Sequence, residues 1–381
     1  MKRGTMMRRL FLGVGLCLIV TQTSCRAGGH APGVLLSDSA GVPIATIVSL
    51  PPLDDPAWKW TLKLDWSLPT VDSAGQPLVY DPGNMTPLAD GTVVVADAAS
   101  PHLVVVDPAS RAVVRRFGRQ GHGPGEVVAA DLVWTGPDGD LRVGDALNQR
   151  ITRFARDGAV VSELSLVRVG GARGIGKWQA FTGAADVIAH IWQVTDFATN
   201  ALTDSLARVD PATGEMRVFM ALPPRPPPTG QRYSPLFEPR SLWTALPSGD
   251  VVVGNTHQAA FRVYGRDGVL RREVRLPLKP RPIPESEKAK LLEDFARAVR
   301  RPSASLPQDA GDQYPITNRL YPVNDTVFAM YQTYLSGASS DPGLPSGQTV
   351  WRLVSTTGRY CGTVWLPRRF AVNWWRHGRM L

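Results

Sequence analysis

Residues 90–97 read Asp90-Gly91-Thr92-Val93-Val94-Val95-Ala96-Asp97, and this stretch decides the fold because its pattern recurs along the chain. A dipeptide that tolerates positive φ precedes a run of β-branched residues, which predicts a tight turn followed by a strand. Two more strands are predicted at 103–107 and 112–114. The repeating unit is therefore a turn, a strand, a polar loop, a second strand, a second turn and a third strand.

Four further copies of this unit follow, and they start near Asp138, Asp186, Ser248 and Asn324. Measured between Gly91, Gly139, Ala185, Gly249 and Asp325, the first two intervals are 48 and 46 residues, and the last two lengthen to 64 and 76 through inserted loops. Propeller blades have about 40–50 residues, and their inner strands are apolar on both faces because both faces pack on neighbouring blades. No strand–helix–strand alternation is present. The pattern predicts an all-β β-propeller with five clear repeats.

We expect a sixth blade that is incomplete or is closed by N-terminal strands. Residues 44–49 and 58–66 supply candidate strands, which would pair with strands after Phe370. The chain ends at Leu381 without another turn-and-strand unit, so we expect a truncated or unusual closure. An exposed apolar strand edge favours aggregation. We therefore predict a lower stability than that of a fully closed relative.

One segment departs from the strand pattern. Residues 284–301 place apolar side chains at helical spacing, with acidic residues early and basic residues late, an order that complements the helix dipole. We predict a helical insertion between the fourth and fifth repeats, packed on one rim of the propeller. The alternative is a helix that faces a membrane or a partner.

Residues 1–25 have the three-part organisation of a secretory signal peptide. Four cations lie in residues 1–9, an apolar run of 11 occupies residues 10–20, and a polar stretch follows. The run is too short to cross a bilayer, which needs about 20 residues. We predict that residues 1–25 are a signal peptide of the lipoprotein type that directs export, and that residues 26–381 form a single propeller domain.

Thr23-Ser24-Cys25 resembles the end of a lipobox, in which the cysteine is lipidated and becomes the mature N-terminus. Gln22 stands where a lipobox carries Leu or a similar aliphatic residue, and the alternative is ordinary cleavage after Ala27. The predicted location is the periplasm or the outer membrane, with a membrane anchor at Cys25, or alternatively secretion. Only Cys361 remains in the mature body, so we expect no internal disulfide and a small buried side chain there.

The charge balance bears on the partners. The formal net charge of +9 falls to +5 without the leader, which leaves 38 basic and 33 acidic residues. No basic stripe concentrates this charge, so we expect no nucleic-acid partner. The remaining excess of positive charge is mild, and it is compatible with a small anionic ligand or an anionic surface as the partner. The glycine-rich stretches 118–125 and 170–176 neither open a helix nor end in Gly-Lys-Ser/Thr, so they do not predict nucleotide binding.

The stretch Gly118-Arg119-Gln120-Gly121-His122-Gly123-Pro124-Gly125-Glu126 resembles a G-R-x-G-x-G-P-G-E segment of bacterial six-bladed β-propeller lipoproteins related to NHL repeats. Asp38-Ser39-Ala40-Gly41-Val42 is similar to their mature N-terminus. The resemblance covers residues 36–370 and implies a six-bladed, lipid-anchored propeller. It implies almost nothing about activity.

In a propeller, the loops that follow the second strand of each four-stranded blade lie on one rim around the central channel, together with the connections between blades. We expect binding there, because loops on a rigid scaffold usually carry it. Arginines on this rim suit carboxylates, whereas the histidines lack the close spacing of metal ligands. The candidate ligand-binding residues are Arg119, His122, Glu126, Arg173, Lys177, His190, Trp192, Tyr233 and His257.

Three hypotheses of function follow. The first is a monomeric cell-envelope binding or interaction module for a peptide, a glycan or a small anionic ligand, without catalysis or cofactor. The second is a metal-dependent lyase or hydrolase with Ca or Zn in the channel, although the sequence contains no motif that supports it. The third is a degraded relative with little function. No catalytic residue or metal site is predicted.

Overall fold

A computed structural model describes most of the propeller body and parts of both ends of the chain. The described residues are 15–20, 32–69, 71–80, 82–97, 103–130, 132–166, 174–179, 186–196, 201–223, 236–299, 309–332, 348–367, 375–376 and 379–380. Arg173, Tyr233 and Cys25 lie outside them, as do the side chains of Lys177 and Trp192.

The elements are as follows. The strands before the first blade are β1 (Gly15–Val20), β2 (Val34–Ser39), β3 (Val42–Ile47), β4 (Lys59–Trp60) and β5 (Leu62–Leu68). Blade one comprises β6 (Pro82–Pro87), β7 (Val93–Asp97), β8 (Leu103–Asp107) and β9 (Ala112–Phe117), and the connection after it contains β10 (Arg119–Gln120) and β11 (Glu126–Val127). Blade two comprises β12 (Leu132–Thr135), β13 (Leu141–Asp145), β14 (Arg150–Phe154) and β15 (Val160–Ser165). Blade three comprises β16 (Gly174–Gln179), β17 (Val187–Asp196), β18 (Ala201–Val209) and β19 (Met216–Ala221). Blade four comprises β20 (Ser241–Ala245), β21 (Val251–Asn255), β22 (Gln258–Tyr264) and β23 (Leu270–Arg275), and α1 (Glu285–Val299) follows it. Blade five comprises β24 (Arg319–Pro322), β25 (Val327–Gln332), β26 (Gln348–Ser355) and β27 (Tyr360–Pro367), and β28 (Trp375–Arg376) and β29 (Arg379–Met380) end the chain.

The protein is an all-β β-propeller, as the repeats predict, and its described part contains one helix. The described part of the chain forms five antiparallel four-stranded blades. Each sequence repeat supplies the second, third and fourth strands of its blade, and the first strand precedes the repeat. First strands of neighbouring blades contact one another, as β6 does β12 and β20 does β24, so these strands surround the centre.

The blades hold together through apolar contacts between their faces. Val94 and Leu103 of blade one share a cluster with Val143 and Phe154 of blade two, and all four are 0–1% exposed. Phe117 of β9 packs on Phe154 with ring centroids 5.4 Å apart. A strand buried on both faces reads as a continuous apolar run, which is why the inner strands show no alternation.

The prediction that residues 44–49 join a sixth blade is wrong. β2 and β3 form a hairpin, and β3 pairs in parallel with β23 on the outer edge of blade four. Ala45 and Ile47 are fully buried there, and Ile47 belongs to the core between blades four and five. The outer edge of blade four offers unpaired backbone groups and apolar surface together, so the hairpin lies there.

Residues 58–66 divide between two sheets. β4 pairs in parallel with β27 of blade five, whereas β5 enters a further sheet with strands from both ends of the chain. We call this sheet, with the order β28-β29-β1-β5, the terminal sheet. The strands after Phe370 therefore share a sheet with β5, but β29 and β5 each pair with β1, which lies between them.

The helix α1 lies in the predicted insertion. Leu291 is 4% exposed and packs with Ile283, Ala310 and Tyr314. The Tyr314 hydroxyl donates a hydrogen bond to Glu287 in the first turn of the helix. The described part of the chain contains no helix long and apolar enough to cross a membrane.

Cys361 is 2% exposed, as expected for a small buried side chain. Cys361 is disulfide-bonded in the full chain. The expectation of no internal disulfide concerns the mature body without the leader, and it stays a prediction.

Candidate functional site

The connections between blades and the loops after the second strands meet on one rim. The turn between β21 and β22 of blade four shows this most directly. The amide of Thr256 in this turn donates to the carbonyl of Arg240, which lies in the connection before β20. The Thr256 carbonyl accepts from the Ile316 amide, which lies after α1. The turn is therefore bonded to the connections on both sides of its blade.

Arg119, His122 and Glu126 lie together in the connection between blades one and two, which we call the glycine loop (residues 118–127). β10 and β11 pair in parallel at its base, with Arg119 opposite Glu126. Their side chains form an ion pair of 3.4 Å, and the Arg119 side chain is 78% exposed. An exposed ion pair of this kind is weak, so the Arg119 guanidinium keeps donors for a ligand.

The glycine loop has a backbone that other residues could not adopt. Gly121 and Gly125 have φ values of +148° and +71°. A Cβ on Gly125 would collide with Val160 of β15, and one on Gly121 with the Glu126 carboxylate. The Glu126 carboxylate accepts the Gly123 amide at 2.9 Å, which fixes the turn from inside.

Arg150 of β14 holds the glycine loop through hydrogen bonds to its backbone. Its guanidinium donates to the carbonyls of His122 at 3.2 Å and Gly123 at 2.7 Å, and also to that of Glu126. Glu163 of β15 lies 3.4 Å from the same guanidinium and accepts the Gly125 amide at 2.7 Å. Charge-assisted bonds are the stronger hydrogen bonds, so blade two holds the loop in one shape.

Asn148 determines which nitrogen of neutral His122 carries the proton. Its amide nitrogen donates to the Gly121 carbonyl at 3.0 Å and to Asp145 at 2.9 Å, so its oxygen must accept. That oxygen lies 2.6 Å from Nδ1 of His122, which therefore donates. The lone pair of neutral His122 is then on Nε2, the ring nitrogen on the far side of the exposed imidazole.

Asp145 acts as a cap and not as an acid. Its carboxylate accepts the amides of Val128 at 2.7 Å, Leu147 at 3.1 Å and Asn148 at 2.9 Å. Asp97 holds the same position at the end of β7 and accepts the Tyr80 amide at 2.9 Å. Both carboxylates therefore stabilise the backbone of the connection that precedes the first strand of their blade.

His190 lies on β17 of blade three and pairs with a buried carboxylate. Its Nε2 is 2.9 Å from Oδ1 of Asp204, whose side chain is 3% exposed against 16% for His190. Lys177 lies on the adjacent strand β16, and Trp192 lies on β17 opposite Gly174. The described contacts do not join this pair to the glycine loop.

His257 forms a joint between blade four and the connection that follows α1. Nε2 donates to the Gln313 carbonyl at 3.2 Å, so Nδ1 accepts the Thr256 hydroxyl at 2.9 Å. Burial lowers the pKa of His257 below its ordinary value, and the bond to Gln313 opposes this in part. With both ring nitrogens bonded, His257 is a structural contact and not an open ligand.

The three histidines thus differ in what they offer. His122 leaves Nε2 without a described protein partner, His190 uses Nε2 on Asp204, and His257 uses both nitrogens. Among the described residues, no group of three or more His, Cys, Asp or Glu side chains is placed to hold a metal.

Sequence reasoning missed Asn148, Glu163 and Asp204, which position the predicted residues. Asn148 follows the capping Asp145 by three residues, which is a local signal for a loop side chain that could have been used. Glu163 and Asp204 sit in strands and carry no such signal, because their partners are distant along the chain.

The sequence matches no protein-family model and no curated protein. Among solved structures, a Bacteroides fragilis protein described as exported is 11% identical, covers 78% of this chain and 74% of that chain, and has a TM-score of 0.44. A DUF4221 family member from Bacteroides vulgatus is 11% identical, covers 78% and 84%, and has a TM-score of 0.48. Virginiamycin B lyase from Staphylococcus aureus is 15% identical, covers 70% and 77%, and has a TM-score of 0.30. At TM-scores below 0.5, none of these similarities bears on function, and the likeness to NHL-related lipoproteins stays a prediction.

Proposed function

We propose that this chain is an exported envelope β-propeller that binds a small anionic ligand at the glycine loop, without catalysis. The observation that carries the proposal is the pairing of two complementary groups on one clamped loop. Arg119 offers an exposed guanidinium, and His122 offers a lone pair on Nε2 through its bond to Asn148. A guanidinium binds a carboxylate through parallel donors, and an imidazole lone pair accepts a hydroxyl proton.

This combination favours a hydroxy-carboxylate, such as a sugar acid, over a simple carboxylate or a neutral sugar. The clamp by Arg150 and Glu163 supports the proposal, because a loop that is already ordered loses little conformational freedom on binding. Export and a lipid anchor at Cys25 belong to the same proposal and rest on the leader sequence. Radioactive palmitate should label the wild type and not Cys25→Ser.

Calorimetric titration with galacturonate, and with galactose as its neutral counterpart, tests the binding site. We expect the protein to prefer galacturonate and Arg119→Ala to weaken its binding by about tenfold or more, since a charge-assisted hydrogen bond contributes roughly 1.5–3 kcal/mol. Arg217→Ala is the matched control, because Arg217 is an exposed arginine on the outer strand β19 of another blade. His122→Ala should weaken binding of both sugars.

Equal affinities for wild type and Arg119→Ala would contradict this proposal, as would the absence of galacturonate binding. Stoichiometric Ca or Zn in the purified protein, lost in His190→Ala or His257→Ala, would favour the metal-dependent enzyme instead.

A further inference from the structure

The terminal sheet contains one strand that the export hypothesis removes. β1 lies in its interior, between β29 and β5. It pairs antiparallel with β5 from Gly15 opposite Leu68 to Val20 opposite Leu62, and with β29 at Leu18 and Ile19. The same six residues belong to the apolar run of the predicted leader.

Loss of the leader would leave a gap between β29 and β5, because β1 lies between these two strands. Among the described residues, β1 is the sole strand partner of β5, so β5 would lose its whole ladder. The hairpin of β28 and β29 would remain on the other side. Unpaired backbone donors and acceptors on two facing strands are a template for an added strand.

The two walls of this gap are anchored in neighbouring blades. Met380 of β29 is fully buried and packs with Trp60 and with residues of blade five. Leu68 of β5 is 7% exposed and packs with Val93 and Val95 of blade one. The gap therefore has a defined width, set by the propeller itself.

We propose that, in the exported protein, the position of β1 is a binding site for an extended, apolar segment of a partner polypeptide, which adds as a strand antiparallel to β5. The seated β1 defines the occupant: six residues without charge, of the sequence Gly-Leu-Cys-Leu-Ile-Val. In β-strand addition, backbone hydrogen bonds supply the affinity and side-chain pockets the selectivity. The inference rests on the export part of the proposed function.

The test begins with the folded full chain, which carries an engineered protease site within residues 26–31. The leader is cut from the folded protein in reducing buffer. The reductant is needed because Cys361 is disulfide-bonded and the other two cysteines, Cys17 and Cys25, lie in the cut segment. Gel filtration and mass spectrometry then show whether the segment stays with the propeller. Fluorescence anisotropy measures rebinding of a labelled peptide of residues 15–20 with Cys17→Ser and flanking lysines.

We expect the segment either to remain bound or, once released, to be replaced by the peptide with saturable affinity. A peptide with Leu18→Pro is the control, because Leu18 pairs with both Leu64 and Met380 and proline cannot donate a ladder bond. Release without rebinding, or equal binding of both peptides, overturns the proposal.

A second measurement separates this inference from the proposed function. The mass of the protein recovered from the envelope shows whether β1 is removed with the leader. Retention of β1 would overturn the strand site and the export part of the proposed function, but not ligand binding at the glycine loop. The galacturonate titration probes the glycine loop, so its failure would leave the strand site standing.

Discussion

At the scale of single residues, hydrogen-bond partners decide which side chains can meet a ligand. His122 lies in the connection between blades one and two, and His257 follows the second strand of blade four. Both belong to the same rim, and the sequence gives no reason to separate them. The structure separates them because Asn148 takes one nitrogen of His122, whereas Thr256 and Gln313 take both nitrogens of His257. A surface loop residue is thus a binding candidate only when its polar atoms are not already used.

His257 leads to a prediction about pH. Its folded pKa lies below the ordinary value of 6.5 because burial disfavours the charged ring. The unfolded chain therefore binds the proton first as the pH falls, so the stability that neutral His257 contributes is present above pH 6.5 and is lost below it. Urea unfolding between about pH 5 and 8 should show a steeper acid loss in wild type than in His257→Gln. Parallel curves would contradict the assignment.

At the scale of elements, turns and buried strands followed from local patterns, but the first strand of each blade did not. β6 contains two prolines and β12 has four residues, so neither shows a clear strand signal. These strands form because the second strand presents an unpaired edge that they complete. The hairpin of β2 and β3 shows the same effect, since the edge of blade four determines where it lies.

Two neighbouring residues at the end of the hairpin of β2 and β3 differ in burial, and this difference leads to a prediction about stability. Ile47 is fully buried between blades four and five, and Val48 is 51% exposed. Ile47→Ala should lower the free energy of unfolding by about 2–5 kcal/mol, because it leaves a cavity in a packed core. Val48→Ala, the matched control, should change it by less than about 0.5 kcal/mol. Equal effects in urea unfolding would mean that the hairpin does not pack as described.

At the scale of the whole molecule, the ends of the chain meet in one sheet. The terminal sheet packs on blade five through Met380 and on blade one through Leu68. Residues more than 300 positions apart in the chain thereby contact each other, as the bond from the Trp60 indole to the Cys361 carbonyl at 2.8 Å also shows. Such contacts carry a large loop-closure cost that only the formed blades repay.

A substitution at Met380 tests whether the terminal sheet stabilises the propeller. It is fully buried one residue before the C-terminus, so Met380→Ala should lower the free energy of unfolding by about 2–5 kcal/mol. Leu64→Ala in the same sheet is the control, and its smaller effect is expected because Leu64 is 50% exposed. If neither substitution changes the urea midpoint, the terminal sheet does not contribute to the stability of the ring.

The sequence by itself determined the propeller, the helical insertion and the rim that carries the loops. These follow from turn chemistry, β-branched runs and helical spacing, all of which act between residues close in the chain. Only the tertiary structure decided that Asn148 and Arg150 shape the glycine loop, that β3 joins blade four, and that β1 fills the terminal sheet. The reason is that hydrogen bonds and strand pairs between distant residues leave no periodic trace in the sequence. The opening pattern at residues 90–97 could therefore predict the scaffold, but not the contacts that complete it.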